Sequence, residues 1–253
     1  MQEKLAGVNS IMEALRGKRK VHKIYVQEGR GGKRIEELLR FAQKKGVFWQ
    51  YVDKQRLDAM YAISNHQGIV AQVDTFAYSS LDEILEQAAL QGKEPFILML
   101  DGIEDPQNLG SIIRTAECAG IDGVVIPRHS SAEITAAVAR ASAGAVEHMP
   151  IARETNLVNC IKQLQEKGLW IVGADMDGKE YFECQIPRPT ALVIGGEGKG
   201  IRKLVRQNCD MLVSIPMMGL ISSLNASVAA GLVIYEAVRQ KRSADKQIGG
   251  RKK

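Results

Sequence analysis

The second half of the chain carries five short, almost wholly apolar segments: "FILMLDG", "GVVIP", "LWIVGAD", "ALVIGG" and "MLVSIP". They are separated by helix-length stretches. A strand with one face in water alternates apolar and polar residues; a strand apolar on both faces must be covered on both. Strands of that kind, alternating with helices, form a parallel sheet with helical layers on either side. The expected class from Pro95 onward is therefore α/β with a parallel sheet, closed by a long apolar helix from about Asn225 to Lys241. Such sheets bind ligands beyond the carboxyl ends of their strands. Those are the places where this sequence sets turns bearing Gly, Asn, Ser or Glu.

The first residues read as a smaller α/β unit. "VNSIMEALR" has helical period, "VHKIYV" is strand-like, and "KRIEELLRFAQKKG" is an amphipathic helix ending at Gly46. The strand "VFWQYV", the short helix "KQRLDAMYA" and the strand "GIVAQVD" follow. Ser80 and Glu83 then have capping-box spacing, with Gly92 and Pro95 ending that helix. The expected organisation is a unit over 1–76, a linker over 77–94, the main domain over 95–242 and a basic tail over 243–253.

At 253 residues, with 45% hydrophobic and 25% charged residues, the chain can bury a real core. No apolar run approaches the roughly 20 residues of a membrane helix, and the N-terminus lacks the apolar centre of a secretory signal. Cys118, Cys160, Cys184 and Cys209 are scattered and form no C-x-x-C pair. They are read as reduced core residues with no zinc site, which suits a cytoplasmic protein. The net charge of +5 is unevenly spread. One basic cluster holds Arg16, Lys18, Arg19, Lys20, Lys23, Arg30, Lys33 and Arg34, with Glu28 among them. Another holds Arg239, Lys241, Arg242, Lys246, Arg251, Lys252 and Lys253 against Asp245. Such clusters suit a phosphate backbone; the alternative is a solvated face and a frayed tail.

Three loop segments carry candidate chemistry. "GGEGKGI", from Gly195 to Ile201, follows a strand but fails the G-x-G-x-x-G spacing. It also lacks the Ser or Thr that a phosphate loop needs after Lys199. "IPMMGLISSLNAS", from Ile215 to Ser227, ends a strand and enters a helix with Ser223 or Asn225 as its cap. "DPQNLGSIIRTAECAG", from Asp105 to Gly120, sets Arg114 six residues after Asn108. Six helical residues turn about 600°, so the two share no face if both are helical. The expectation is Asn108 in the loop, with Arg114 either reaching back toward it or lying on the surface.

Taken together, these three segments resemble, in order and spacing, the motifs of the SpoU (TrmH-like) ribose 2′-O-methyltransferases of the SPOUT superfamily. The resemblance covers about 95–241. "GVNSIMEAL" and "NHQGIVAQV" further resemble the ribosomal-protein-like RNA-binding domain carried by many of these enzymes. The two-domain form is similar to the bacterial enzymes that methylate a guanosine in 23S ribosomal RNA, a step of rRNA processing. The resemblance implies a SPOUT-type knotted parallel-sheet methyltransferase domain, overriding the rule that chains do not knot. It implies S-adenosylmethionine as cofactor, held against Gly195, Ile215 and Leu224 in a trefoil knot. Asn108, Arg114, Glu197, Ser223 and Asn225 match the polar active-site positions. A homodimer is implied, with the site completed near the subunit interface, and neither a metal nor a membrane.

A ribose 2′-OH is a poor nucleophile until deprotonated or polarised. The family is usually described with the arginine as base, yet a guanidinium does not give up its proton near neutral pH. Arg114 is therefore expected to bind the target phosphate and stabilise the developing alkoxide, with Asn108 and Ser223 fixing geometry. Three other readings remain: a transfer-RNA ribose methyltransferase, a non-catalytic RNA-binding assembly factor, and a nicotinamide oxidoreductase.

Overall fold

The computed structural model describes residues 2–61 and 66–250. They gather into two compact units, one of Met1–Ala77 with Glu133–His148, the other of Tyr78–Ala132 with Met149–Lys253. Both are α/β.

The first unit begins β1 (Gln2–Ala6), α1 (Val8–Arg16), β2 (Val21–Gln27), α2 (Lys33–Lys44), β3 (Phe48–Val52), α3 (Lys54–Met60) and β4 (Ile69–Asp74). Its sheet runs β1-β4-β2-β3, with only β2 and β3 parallel. The sequence reading finds every one of these elements except β1. Of "QEKLA" only Leu5 and Ala6 are buried, so the strand leaves no period to read. On one sheet face Val52 and Val70 pack with Leu57 of α3 and with Tyr61.

The second unit carries α4 (Leu81–Leu90), β5 (Phe96–Asp101), α5 (Pro106–Ala119) and β6 (Gly123–Pro127). After α6 (Ala136–Ala141) and a single 3-10 turn at Ala145–Glu147, both in the first unit, it resumes with β7 (Ile151–Glu154), α7 (Leu157–Glu166) and β8 (Trp170–Glu180). β9 (Thr190–Gly195), α8 (Lys203–Gln207), β10 (Met211–Ser214) and α9 (Ala226–Gly250) complete it. The six strands lie in the order β10-β8-β9-β5-β6-β7 and every neighbouring pair is parallel. All six residues of β5 are buried, as two-sided cover demands. Leu81, Ile84 and Leu85 of α4 and Leu157, Ile161 and Leu164 of α7 pack with Ile97 and Met99 of β5; α5 packs against α9.

Helix ends follow local chemistry. Ser80 and Glu83 close a reciprocal capping box on α4. Asp105 accepts the Asn108 N–H at 3.0 Å, Pro106 takes the first helical position, and Gly120 ends α5 with φ 73°.

Several expectations are corrected. The stretch 77–94 is no separate linker: from Tyr78 on it belongs to the second unit, where Ser79 bridges Ala152 beside β7. The segment Glu133–His148 belongs with the first unit, where Ser10 Oγ donates to the Ala139 carbonyl at 3.2 Å. The last helix runs on to Gly250, nine residues past Lys241. Arg251, Lys252 and Lys253 of the basic tail lie outside the described residues, as do Ala62, Asn65 and the side chain of Lys246. Cys118 is exposed rather than core. Arg19, counted in the basic cluster, has a side chain only 5% exposed and pairs with Glu3 and Glu147. Among the described residues no helix is long and apolar enough to cross a membrane.

Candidate functional site

Because the sheet is parallel, the loops after β5, β9 and β10 all leave from one edge. The loop after β9 is clamped to the end of β5. Asp101, fully buried, accepts the Arg202 backbone N–H at 2.8 Å and its Nε at 2.6 Å, while its own carbonyl accepts the Gly196 N–H at 2.8 Å. The chain then folds back so closely that a Cβ on Gly195 would lie 2.1 Å from the Gly200 carbonyl carbon; only glycine fits without moving the loop. A cavity of about 360 Å³ opens here, with Asp101, Asp105, Asn108, Glu197, Lys199 and Arg202 in its wall.

Three of the sequence candidates meet in a closed hydrogen-bonded triangle. Glu197 Oε1 accepts from Asn108 Nδ2 at 2.8 Å and from Asn225 Nδ2 at 2.9 Å. Asn225 Nδ2 also donates to Asn108 Oδ1 at 2.9 Å. The carboxamide oxygen of Asn225 faces the other way and accepts the Ser227 N–H at 2.9 Å, capping α9. Asn108 stands in the first turn of α5 and Asn225 at the start of α9. Two helix N-termini thus add positive potential around a carboxylate that, among the described residues, no cation pairs directly.

Asn108 is therefore not in the loop, as expected above, but the third residue of α5. The Asp105 cap and Pro106 begin the helix before it. With both residues helical, Arg114 lies about 240° round the helix from Asn108. It is exposed and, among the described residues, has no hydrogen-bond or ion-pair partner. Ser223 is exposed as well, and Leu224 is 39% exposed. Gly195 ends β9, in register with Asp101, and Ile215 is half-buried directly after β10. Sequence reasoning missed Asp101 and Arg202. An acid at the carboxyl end of the otherwise apolar "FILMLD" was the available signal for the first.

Comparison with known proteins covers nearly the whole chain. The profile of the SpoU rRNA Methylase family matches residues 95–235, and that for RNA 2′-O ribose methyltransferase substrate binding matches residues 4–79. The Bacillus subtilis protein named "Putative TrmH family tRNA/rRNA methyltransferase YacO" is 44% identical over 236 residues, 93% of this chain and 94% of that one. Among solved structures, the SpoU methyltransferase AviRb from Streptomyces viridochromogenes, in complex with AdoMet, superposes with a TM-score of 0.78. It shares 29% identity, over 96% of this chain and 91% of its own. An AdoMet-bound rRNA methyltransferase from Sinorhizobium meliloti superposes at 0.77 with 25% identity, over 94% and 87%.

Proposed function

The chain belongs to the SpoU (TrmH) family of S-adenosylmethionine-dependent RNA 2′-O-methyltransferases, and from that premise we propose that it methylates a guanosine ribose in 23S ribosomal RNA. It would do so in the cytoplasm, as a step of rRNA processing. The observation that carries the site assignment is the Asn108–Glu197–Asn225 triangle, because it joins all three loop segments at one sheet edge.

The residues at that edge fit the cofactor. Gly195, Ile215 and Leu224 all follow or end strands at this edge. The tight fold at Gly195 admits no side chain, Ile215 is half-buried and Leu224 partly exposed, apolar groups suited to an uncharged adenosyl moiety. When bound, S-adenosylmethionine supplies an electrophilic methyl on a sulfonium that leaves as a neutral thioether. In this reading Gly195, Ile215 and Leu224 hold it, within the knot of the family.

The chain's own part is to present the nucleophile. Asn108 and Asn225, locked by Glu197, fix the geometry around the ribose, with Ser223 as a further hydrogen-bonding group. Arg114 binds the adjoining phosphate and stabilises the developing alkoxide through its charged N–H groups, and the proton lost from the 2′-OH passes to solvent water. Since Arg114 faces away from Asn108 on the same helix, a second copy delivers it, and the working unit is a homodimer. Val228, Leu232 and Tyr235 support this: they form an exposed apolar stripe along α9, at 50%, 38% and 49% exposure.

The test is a map of 2′-O-methylation, by protection from alkaline hydrolysis, across ribosomal and transfer RNA from cells with and without the protein. The expected result is one lost site, at a guanosine of the large-subunit RNA. A lost site in transfer RNA would replace the substrate. No lost site would leave the assembly-factor reading.

A further inference from the structure

Among the described residues of the first unit, both exposed large hydrophobic side chains sit on one strand: Phe48, 64% exposed, and Tyr51, 50% exposed, on β3 at the edge of the sheet. An edge strand is ordinarily protected by polar or charged residues, and large rings there are a liability unless something uses them. Phe48 is not isolated. It stands directly opposite Lys23 in the parallel β2–β3 register, and Tyr25 lies two residues further along the same face. The Lys23 ammonium is 5.2 Å from the centroid of the Phe48 ring and 5.2 Å from that of Tyr25. The far end of this face is covered by α3, where Val52 packs with Leu57 and Tyr61. α3 is only seven residues long, and at the other end of β3 the Phe48 ring is left open.

A ring with one face on an ammonium and the other in solvent is suited to stack an unpaired nucleobase, with the lysine on hand for the adjoining phosphate. It is ill suited to a duplex, whose bases are already stacked and whose accessible surface is phosphate and sugar. The setting is electropositive: residues 1–77 carry 14 lysines and arginines against 8 acidic residues. The match of residues 4–79 to a substrate-binding profile places RNA on this unit without saying which residues touch it.

We infer that Phe48, backed by Lys23, forms a stacking platform for an unpaired nucleobase of the RNA substrate, with the half-buried Tyr25 helping to hold the lysine, so that the first unit recognises a single-stranded segment rather than a helix. The inference rests on the RNA-methyltransferase reading above.

Binding of the full-length protein to two RNAs tests it: an unpaired oligonucleotide of mixed sequence, and a fully paired duplex of the same length. Phe48→Ala should weaken binding of the unpaired RNA roughly tenfold or more, leaving its salt dependence and the duplex affinity unchanged. Phe48→Trp should bind as wild type does. Phe48→Leu keeps an apolar side chain without a ring, guards against a folding defect, and should behave as the alanine variant. Lys23→Gln should weaken both RNAs and reduce the salt slope by about one. Wild-type binding of unpaired RNA by the alanine and leucine variants, or an equal loss for both RNAs, overturns the platform. If the wild-type protein methylates no RNA, the function falls instead, and these affinities still judge the platform.

Discussion

Asn225 and Asn108, 117 positions apart, are joined at 2.9 Å from Nδ2 to Oδ1, with Glu197 accepting from both. Asn225 has two separable duties, since its oxygen caps α9 while its nitrogen closes the triangle. Asn225→Ser keeps a capping oxygen and removes both donors. Its melting temperature should stay close to wild type while turnover falls about a hundredfold, the penalty for a misplaced site. Asn225→Ala should lose turnover similarly and about 1 kcal/mol of stability besides. A serine variant with full turnover would show that the triangle only ties loops together.

Gly195 gives a test of cofactor binding that does not depend on RNA. Excess S-adenosylhomocysteine should raise the thermal midpoint of the wild-type protein, with about 2.7 kcal/mol of stabilisation at a hundred times its Kd, and NADH should not. Gly195→Ala puts a methyl where the Gly200 and Ile201 backbone already lies, so residues 196–201 must shift. The variant should then lose most of the protection. Equal protection in both proteins would remove Gly195 from the cofactor site.

Much of this was legible because parallel strands buried on both faces can hardly be written another way. Ile97 to Leu100 read as interior from sequence alone, and they are. β1 was not legible, since three of its five residues face outward or are half-exposed. The Asp105 cap and Pro106 were visible start signals for α5. Placing Asn108 outside the helix came from requiring it to share a side with Arg114, a requirement that the structure of one chain does not meet. Nothing local separates Arg19 from Lys18 and Lys20. Its burial is decided by Glu147, 128 positions away, and a charge pattern along the chain carries no such information.

That buried cluster has a pH signature. Burial holds the carboxyls of Glu3 and Glu147 above their ordinary value of 4.5, and the Arg19 guanidinium partly opposes the shift. The folded chain therefore keeps protons that the unfolded chain has released, so this contribution to stability is present below 4.5 and lost as pH rises through the raised values. Arg19→Met removes the opposing cation that both carboxyls share, pushing them further up. The variant should be destabilised by about 3–5 kcal/mol near neutral pH, with the deficit shrinking in acid, as read from urea midpoints across the range. A pH-independent deficit would mean that lost packing, and not charge, is the cause.

The thiols should react in a fixed order. Burial pushes Cys160 and Cys209 up to about 12, so almost no thiolate is present near neutral pH, and Cys184 is buried too. Cys118 is exposed on α5. A disulfide reagent should modify Cys118 rapidly in the native protein and all four cysteines only after denaturation. Fast modification of Cys160 would show that α7 opens readily from the sheet.

Delivery of Arg114 from a second copy is testable without a structure of the dimer. Arg114→Ala and Asn225→Ser should each be nearly inactive alone. If the arginine of one copy serves the triangle of the other, a mixed dimer holds one site with an intact triangle and an intact arginine, and its second site has neither. Mixing or co-expressing the two variants should then restore activity. If each chain uses its own arginine, every site in the mixture carries one defect and activity stays lost. Arg114→Lys adds the chemical half of the argument. A lysine keeps the charge but not the paired N–H groups, so its turnover should fall well below wild type; near-wild-type turnover would leave only a point charge for Arg114 to supply.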